Sequence, residues 1–250
     1  MIIPAILVAV ALAGAAWAQP AITVQPASAD WTGHYQVARG KALGGLQPIS
    51  PDLNKVVTAH LQPWARLKME GTDGVADDTG QVCQPIGIFR YAIVNSEFMW
   101  LPGRAHITIA SWEINTVGAR RIYLNRPHLK NVAPTWNGDS VGHWEGDTLV
   151  VDTIGFNDKS WLHMTMQPHS EDTRLIERIR HITTPSGAYM EVRGKIEDRQ
   201  ALTSAFEYSR YYKQSREEMV PNVCSEDIGT WKDIRDRHLR PLMERAREVK

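Results

Sequence analysis

Residues Ser140–Phe156, SVGHWEGDTLVVDTIGF, decide the fold because they contain a turn signal between two strand-like runs. Gly146-Asp147 is the kind of residue pair that closes a two-residue β-hairpin. With this turn at the tip, Val141 pairs with Asp152 across the two strands. The stretch therefore predicts an antiparallel hairpin whose register is set by its turn.

The two faces of this hairpin differ in chemistry. Trp144, Leu149 and Val151 share one face, which is suited to packing. The other, mixed face places His143 and Asp152 as diagonal cross-strand neighbours. It consists of Val141, His143, Glu145, Thr148, Val150 and Asp152. A carboxylate beside an imidazole fixes its tautomer and raises its basicity, as a general base requires.

Two interpretations of the mixed face are open. On an antiparallel sheet one face is often solvated, and polar side chains there need no function. If the sheet closes into a barrel with this face inside, the same side chains line a cavity. We predict the second arrangement, with His143 as the catalytic acid–base group and Asp152 as the carboxylate that orients it.

Further strand-like segments follow at intervals of roughly 8–15 residues, without long helical segments between them. They are FRYAIV, EFMWLP, HITIASWEI, RRIYL, TLVVDTIGF, TRLIERIRHI, AYMEVRGKIED and SAFEYSRYY. About eight such strands suffice to close an antiparallel barrel that holds one small ligand. We therefore predict a mostly β chain with a barrel core over residues 83–215.

The segments around the barrel have a different character. Residues 1–18 are apolar and end in Ala-Trp-Ala, which predicts a secretory signal peptide and a periplasmic or secreted protein; an uncleaved membrane anchor is the alternative. Residues 19–82 predict an extended arm and an N-terminal helix that begins near Leu53. Residues 216–250 predict an amphipathic C-terminal helix packed on the barrel.

The composition limits the possible partners. Lys plus Arg and Asp plus Glu are both 28, so there is no basic excess for nucleic acid. Nine tryptophans indicate a large core or a pocket for flat apolar ligands. Dinucleotide, phosphate-loop and zinc spacings are absent from the sequence, so no cofactor and no metal are expected. No membrane span is expected after processing.

Four other residues are candidates for a ligand site. Arg90 is a candidate carboxylate clamp, next to Tyr91, although a surface ion pair is the commoner role. Trp136 either caps a cavity mouth or simply packs. Glu171 precedes the TRLIERIRHI strand, at the expected barrel rim.

Three further side chains are candidates for acid–base, metal or ion-pair roles. His169, in the same stretch as Glu171, is a second candidate for proton transfer. A metal site using His143, His163 and His169 is an alternative that no familiar ligand spacing supports. Glu177, on the TRLIERIRHI strand, is expected to pair with Arg90 or Arg178.

The motifs CQPIGIFR, RIYLNRPH, GHWEGDTLVVDT and PHSED together resemble a large family of secreted bacterial proteins. The resemblance covers roughly residues 61–198, and Phe89 stands where that family usually has Pro. It implies a lipocalin-like (calycin-type) barrel. It implies no particular catalytic residues.

These observations favour a periplasmic, cofactor-independent lyase, such as a decarboxylase, hydratase or isomerase. Its substrate would be a small hydrophobic compound, aromatic or terpenoid. A non-catalytic carrier of a hydrophobic ligand is the alternative, and a structural envelope protein is a third. An enzyme needs titratable groups that converge in a cavity, whereas a carrier needs an apolar wall.

Cys83 and Cys224 are the two cysteines of the chain, and in an exported protein we predict that they form a disulfide. The bond would stabilise the fold by at most roughly 5 kcal/mol. Mass analysis after alkylation of the folded, oxidised protein should find both thiols blocked. Ready alkylation of both would contradict the prediction.

Overall fold

The computed structural model describes residues 20–27, 30–74, 77–82, 84–93, 97–111 and 119–217, without the side chains of 81, 82 and 91–93. Both cysteines, the predicted signal peptide and residues 218–250 of the predicted C-terminal helix lie outside these residues. None of the helices in the described part of the chain is long and apolar enough to span a membrane.

The described chain is mostly β. In chain order the strands are β1 (Thr23–Val24), β2 (Gly33–Val37), β3 (Phe98–Pro102), β4 (His106–Ala110), β5 (Arg120–Leu124), β6 (Asp139–Glu145), β7 (Thr148–Ile154), β8 (Arg174–Thr184), β9 (Gly187–Glu197) and β10 (Phe206–Ser215). Within the described residues, β2 to β10 form a closed barrel of nine strands, in which each strand pairs with the next and β10 pairs back with β2. The short β1 extends the sheet beside the end of β8.

The structure supports the β-barrel class, but with nine strands and one parallel pair where eight antiparallel, lipocalin-like strands were predicted. The predicted strand FRYAIV is contradicted, because its residues 89–93 belong to a helix, Gly87–Ile93. Short apolar runs do not separate helix from strand by periodicity. Conversely, β2 comes from the segment in which we expected an extended arm.

In the described part of the chain, three α-helices and two short 3-10 helices, Gly40–Leu43 and Thr79–Val82, lie outside the sheet. We label the α-helices α1 (Leu53–His60), α2 (Pro63–Gly71) and α3 (Gly87–Ile93). The helical spacing that begins at Leu53 corresponds to α1, whose N-cap Asp52 accepts a hydrogen bond from the Lys55 amide at 3.1 Å. Pro63 opens α2 at its first turn, where the missing N–H is not needed.

The parallel pair β5–β6 requires a long crossover, which is residues 125–138. Asp139, at the start of β6, holds this crossover. Its carboxylate accepts hydrogen bonds from the guanidinium of Arg126, from Nδ1 of His128 at 3.0 Å and from the amide of Leu129 at 3.2 Å. The Arg and His of the RIYLNRPH motif therefore order a loop.

The predicted register of the β6–β7 hairpin is confirmed. Glu145 pairs with Thr148 and Val141 pairs with Asp152. The prediction for its orientation is wrong, because Leu149 and Val151 are buried in the core while His143 is exposed. The apolar face turns inward since its burial is the larger gain in free energy.

Within the described residues, the barrel interior is a packed core that includes a buried polar cluster around Arg120. Arg120 forms an ion pair with Glu177 and donates hydrogen bonds to Ser140 and Thr153, each at 3.1 Å. The expectation that Glu177 pairs with Arg90 or Arg178 is therefore wrong. Burial, together with the charge of Glu177, raises the pKa of the Tyr208 hydroxyl well above 10.

Gly194 of β9 lies opposite Tyr208 of β10, and the Tyr208 ring crosses it so closely that an added Cβ would overlap the ring. We therefore expect Gly194→Ala to destabilise the protein by about 2 kcal/mol or more, because the ring has no room to move in a packed barrel. Urea unfolding measures the difference.

Gly71→Ala is the matched control, since an added Cβ at the end of α2 meets nothing within 4 Å. Its free energy of unfolding should stay within about 0.5 kcal/mol of that of the wild type. Equal stability of the Gly194→Ala and Gly71→Ala proteins would contradict the packing argument.

Candidate functional site

A cleft opens beside β10, between the chain that follows β2 and the start of α1. Its volume is about 380 Å³, within the range of small-molecule sites. Val37, Leu43 and Leu53 supply apolar wall, and Pro48 and Pro51 continue it. The cleft therefore offers an apolar compound a surface to pack against.

The polar lining of the cleft is mainly cationic. Arg39 and Arg210 line it together with Asp52 and His163. Burial lowers the pKa of Arg210, the nearby Tyr212 and Tyr208 oppose this, and the like charge of Arg39 lowers it further. The Ala38 amide donates a hydrogen bond to the Tyr211 carbonyl at 2.7 Å, which brings Arg39 and Arg210 to the same part of the cleft lining.

His163 reaches the cleft on a tight turn, residues 161–168, which we call the His163 turn. Its two ends meet at a β-bridge between Trp161 and Pro168 and at a hydrogen bond from the Leu162 amide to the Gln167 carbonyl at 2.7 Å. Met166 adopts φ +62°, a left-handed conformation that is uncommon outside glycine. The strained backbone indicates a turn held by its surroundings.

The His163 turn is tied to α1 by side chains. Asn54 accepts hydrogen bonds at Oδ1 from Gln167 at 2.7 Å and from Thr165 at 2.6 Å. Gln167 also donates to Thr58 at 2.8 Å. Residues of α1 and of the His163 turn both line the cleft, so these hydrogen bonds hold two sides of the cleft together.

This network fixes the tautomer of His163. The single hydroxyl proton of Thr165 goes to Asn54 or Gln167, both of which offer only an oxygen acceptor. The Thr165 oxygen therefore accepts from Nδ1 of His163, at 3.2 Å. In the neutral ring Nε2 is then the nitrogen with the lone pair.

The surroundings also keep His163 neutral. Burial lowers its pKa, and the charges of Arg210 and Arg90 lower it further, while Asp52 opposes them. The ring is therefore an uncharged base at neutral pH, although it borders a cationic cleft.

Behind the turn lies a buried anchor made of Ser160 and His169. The His169 ring is fully buried, donates from Nδ1 to the Ser170 carbonyl at 3.1 Å and accepts from the Ser160 hydroxyl at Nε2 at 2.8 Å. Burial lowers the pKa of His169 to about 4, and the hydrogen bond to Ser170 opposes this. The predicted proton-transfer residue thus lies outside the cleft lining.

Asp198 completes the anchor. Its carboxylate accepts hydrogen bonds from the Ser170 amide and the Thr173 hydroxyl, each at 2.7 Å, and from the Ser170 hydroxyl and the Ala201 amide, each at 2.8 Å. Through Ser170 of the PHSED motif, the segment after the His163 turn is therefore hydrogen-bonded to the connection between β9 and β10.

The predicted pair of His143 and Asp152 does not form. The His143 side chain is 58% exposed on the outside of the barrel, and its Nε2 lies 3.2 Å from Glu145. Asp152 instead binds Arg174 through two hydrogen bonds of 2.8 and 2.7 Å. The solvated-face interpretation describes these residues.

The predicted ligand residues are dispersed. Arg90 is buried in an ion pair with Asp78, so its guanidinium is engaged within the protein. Glu171 is exposed, and Trp136 is half-buried near Gly87, outside the cleft lining. The Tyr91 side chain lies outside the described residues.

Arg39 and Arg210 were missed at the sequence level, although one signal for Arg210 was available. Tyr208 and Tyr212 pack in the core, and alternation along β10 places Arg210 on the same face. A charge between two inward aromatic side chains marks a polar site. The described residues contain no cluster of His, Cys, Asp and Glu that fits a metal ion.

Comparison of the chain with protein-family models and with curated proteins gave no match. The functional argument therefore depends on the geometry of the cleft.

Stability should fall as the pH decreases from 7 to 5, because the unfolded chain binds protons at histidines that the folded protein keeps neutral. The pKa of His169 is about 4 in the folded protein and 6.5 in the unfolded chain. This difference lowers the free energy of unfolding by roughly 2 kcal/mol between pH 7 and pH 5. His181, with a pKa lowered by burial to about 4, adds a similar loss.

Urea unfolding of the His169→Gln protein at pH 7 and pH 5 should show a smaller loss than that of the wild type. His143→Gln, at an exposed site, should leave the loss unchanged. An identical pH dependence in the wild-type and His169→Gln proteins would show that His169 is not buried in its neutral form.

Proposed function

We propose that the protein binds a small amphipathic anion in the cleft. The apolar body, aromatic or terpenoid, packs against Val37, Leu43 and Leu53, and the anionic head lies at Arg39 and Arg210. The observation that carries the proposal is the convergence of two guanidinium groups beside an apolar wall. Guanidinium groups pair with carboxylates in a planar, bidentate geometry.

The charges of the cleft favour an anion. Among the described residues that line the cleft, Arg39 and Arg210 are cationic and Asp52 is anionic, and the lowered pKa of His163 keeps that ring neutral. A carboxylate in the cleft is attracted by the positive charges of Arg39 and Arg210.

The same geometry supports a carrier most directly, since apolar wall and charge complementarity suffice for binding. We place this carrier in the periplasm or outside the cell, in keeping with the signal peptide predicted over residues 1–18.

A second candidate function is that of a cofactor-independent lyase or isomerase acting on the same anion. His163 favours this function, because it lines the cleft and its Nε2 is unprotonated, as a general base requires. The exposed position of His143 moves the acid–base role to His163.

The binding proposal is tested by calorimetric titration with 4-phenylbutyrate and with its uncharged amide. We expect 4-phenylbutyrate to bind and the amide to bind at least about tenfold more weakly, because it lacks the charge that pairs with the guanidinium groups. Arg39→Gln should weaken binding of the acid by about tenfold. Arg39 is exposed, so this variant should fold normally.

Arg121→Gln is the matched control, because Arg121 is exposed on β5 and does not line the cleft. Its affinity for 4-phenylbutyrate should equal that of the wild type. Equal affinity for acid and amide, absence of binding at millimolar concentration, or equal weakening by Arg39→Gln and Arg121→Gln would each overturn the proposal.

A further inference from the structure

His163 lies where charged groups from several elements meet. Arg210 belongs to β10, Asp52 is the N-cap of α1 and Arg39 follows β2, and all three line the cleft with His163. Arg90 of α3 also acts on the pKa of the ring, from its buried ion pair with Asp78. Arg210 and Arg90 disfavour a positive charge on the ring and Asp52 favours one. The protonation of His163 therefore depends on the balance of charge in the cleft.

An anion in the cleft reverses this balance. It offsets the positive charge of Arg210, which disfavours the imidazolium, and adds a negative charge near the ring. Because Nδ1 already donates to Thr165, a proton that binds to the ring goes to Nε2. That nitrogen then becomes a donor of a charge-assisted hydrogen bond.

We infer that the cleft binds its anion together with a proton, which His163 takes from solvent at Nε2. The inference rests on the proposed function, because it requires an anion in the cleft. In this step one N–H bond forms at Nε2 and the bond between that proton and its donor, a hydronium ion or a buffer acid, breaks. The Nδ1 proton stays on the ring, in its hydrogen bond to the Thr165 oxygen. His163 is thereby a ligand-binding residue that adds a positive charge when the site is occupied.

The consequence is a site whose affinity depends on pH. By linkage, a ligand that favours the protonated ring binds more tightly when the ring is already protonated, so affinity rises as the pH falls. A His163 pKa that is one unit or more higher in the occupied protein than in the free protein corresponds to roughly a three- to tenfold gain in affinity for the anion between pH 7.5 and pH 5.5. A carboxylate ligand stays mostly ionised over this range.

Calorimetric titration with 4-phenylbutyrate tests the inference in Bis-Tris and imidazole, two buffers that differ in ionisation enthalpy and are not anions. Proton uptake makes the observed heat depend on the buffer. We expect net uptake in the wild-type protein at pH 6.5 and none in His163→Gln. In that variant, affinity should no longer rise between pH 7.5 and pH 5.5.

His143→Gln is the matched control, because this histidine is exposed on the outside of the barrel. It should keep the uptake and the pH dependence of the wild type. Binding with the same heat in both buffers, or uptake that survives in His163→Gln, would overturn the inference while the proposed function stands. Absence of any binding of 4-phenylbutyrate would overturn the proposed function itself.

Discussion

The pairing of β10 with β2 is the constraint on which the cleft depends. It joins the two ends of the described sheet, yet it covers only Tyr212–Ser215 of β10. Beyond that point the chain after β2 continues along β10, with the Ala38 amide bound to the Tyr211 carbonyl and the Ile49 amide bound to the Ser209 hydroxyl. The cleft opens here because the ladder is replaced by a loop.

Closure also explains how distant residues form one charged site. Arg39 follows β2 and Arg210 lies in β10, so they become neighbours when these strands pair. The anion site that we propose therefore exists only in the closed barrel, where the two side chains line one cleft.

The segments around the cleft are held by buried polar groups whose hydrogen bonds are satisfied. Asp198 accepts hydrogen bonds from the amide and the hydroxyl of Ser170, in the PHSED motif, and from Thr173, and His169 is bonded at both ring nitrogens. Satisfied polar networks rigidify the structure around them, whereas an unpaired group would cost free energy. Residues that suggested catalysis in the sequence thus support the turn that presents His163.

Sequence alone determined what is local in this protein. The turn at Gly146-Asp147 set the hairpin register, and the cap at Asp52 marked the start of α1, because both features depend on residues within a few positions of one another. The β-barrel class followed from the repeated short strands. The helix at Gly87–Ile93 was missed since a short apolar run fits either element.

Tertiary structure decided which hairpin face is inside and which charges share a cleft. His143 and Asp152 occupy the face that was predicted for them, but burial of Leu149 and Val151 turned that face outward. The meeting of Arg39, Arg210 and His163 depends on barrel closure, a contact between segments far apart in the chain. Alternation within one strand assigns residues to faces, and only the packed barrel assigns a face to water or to the core.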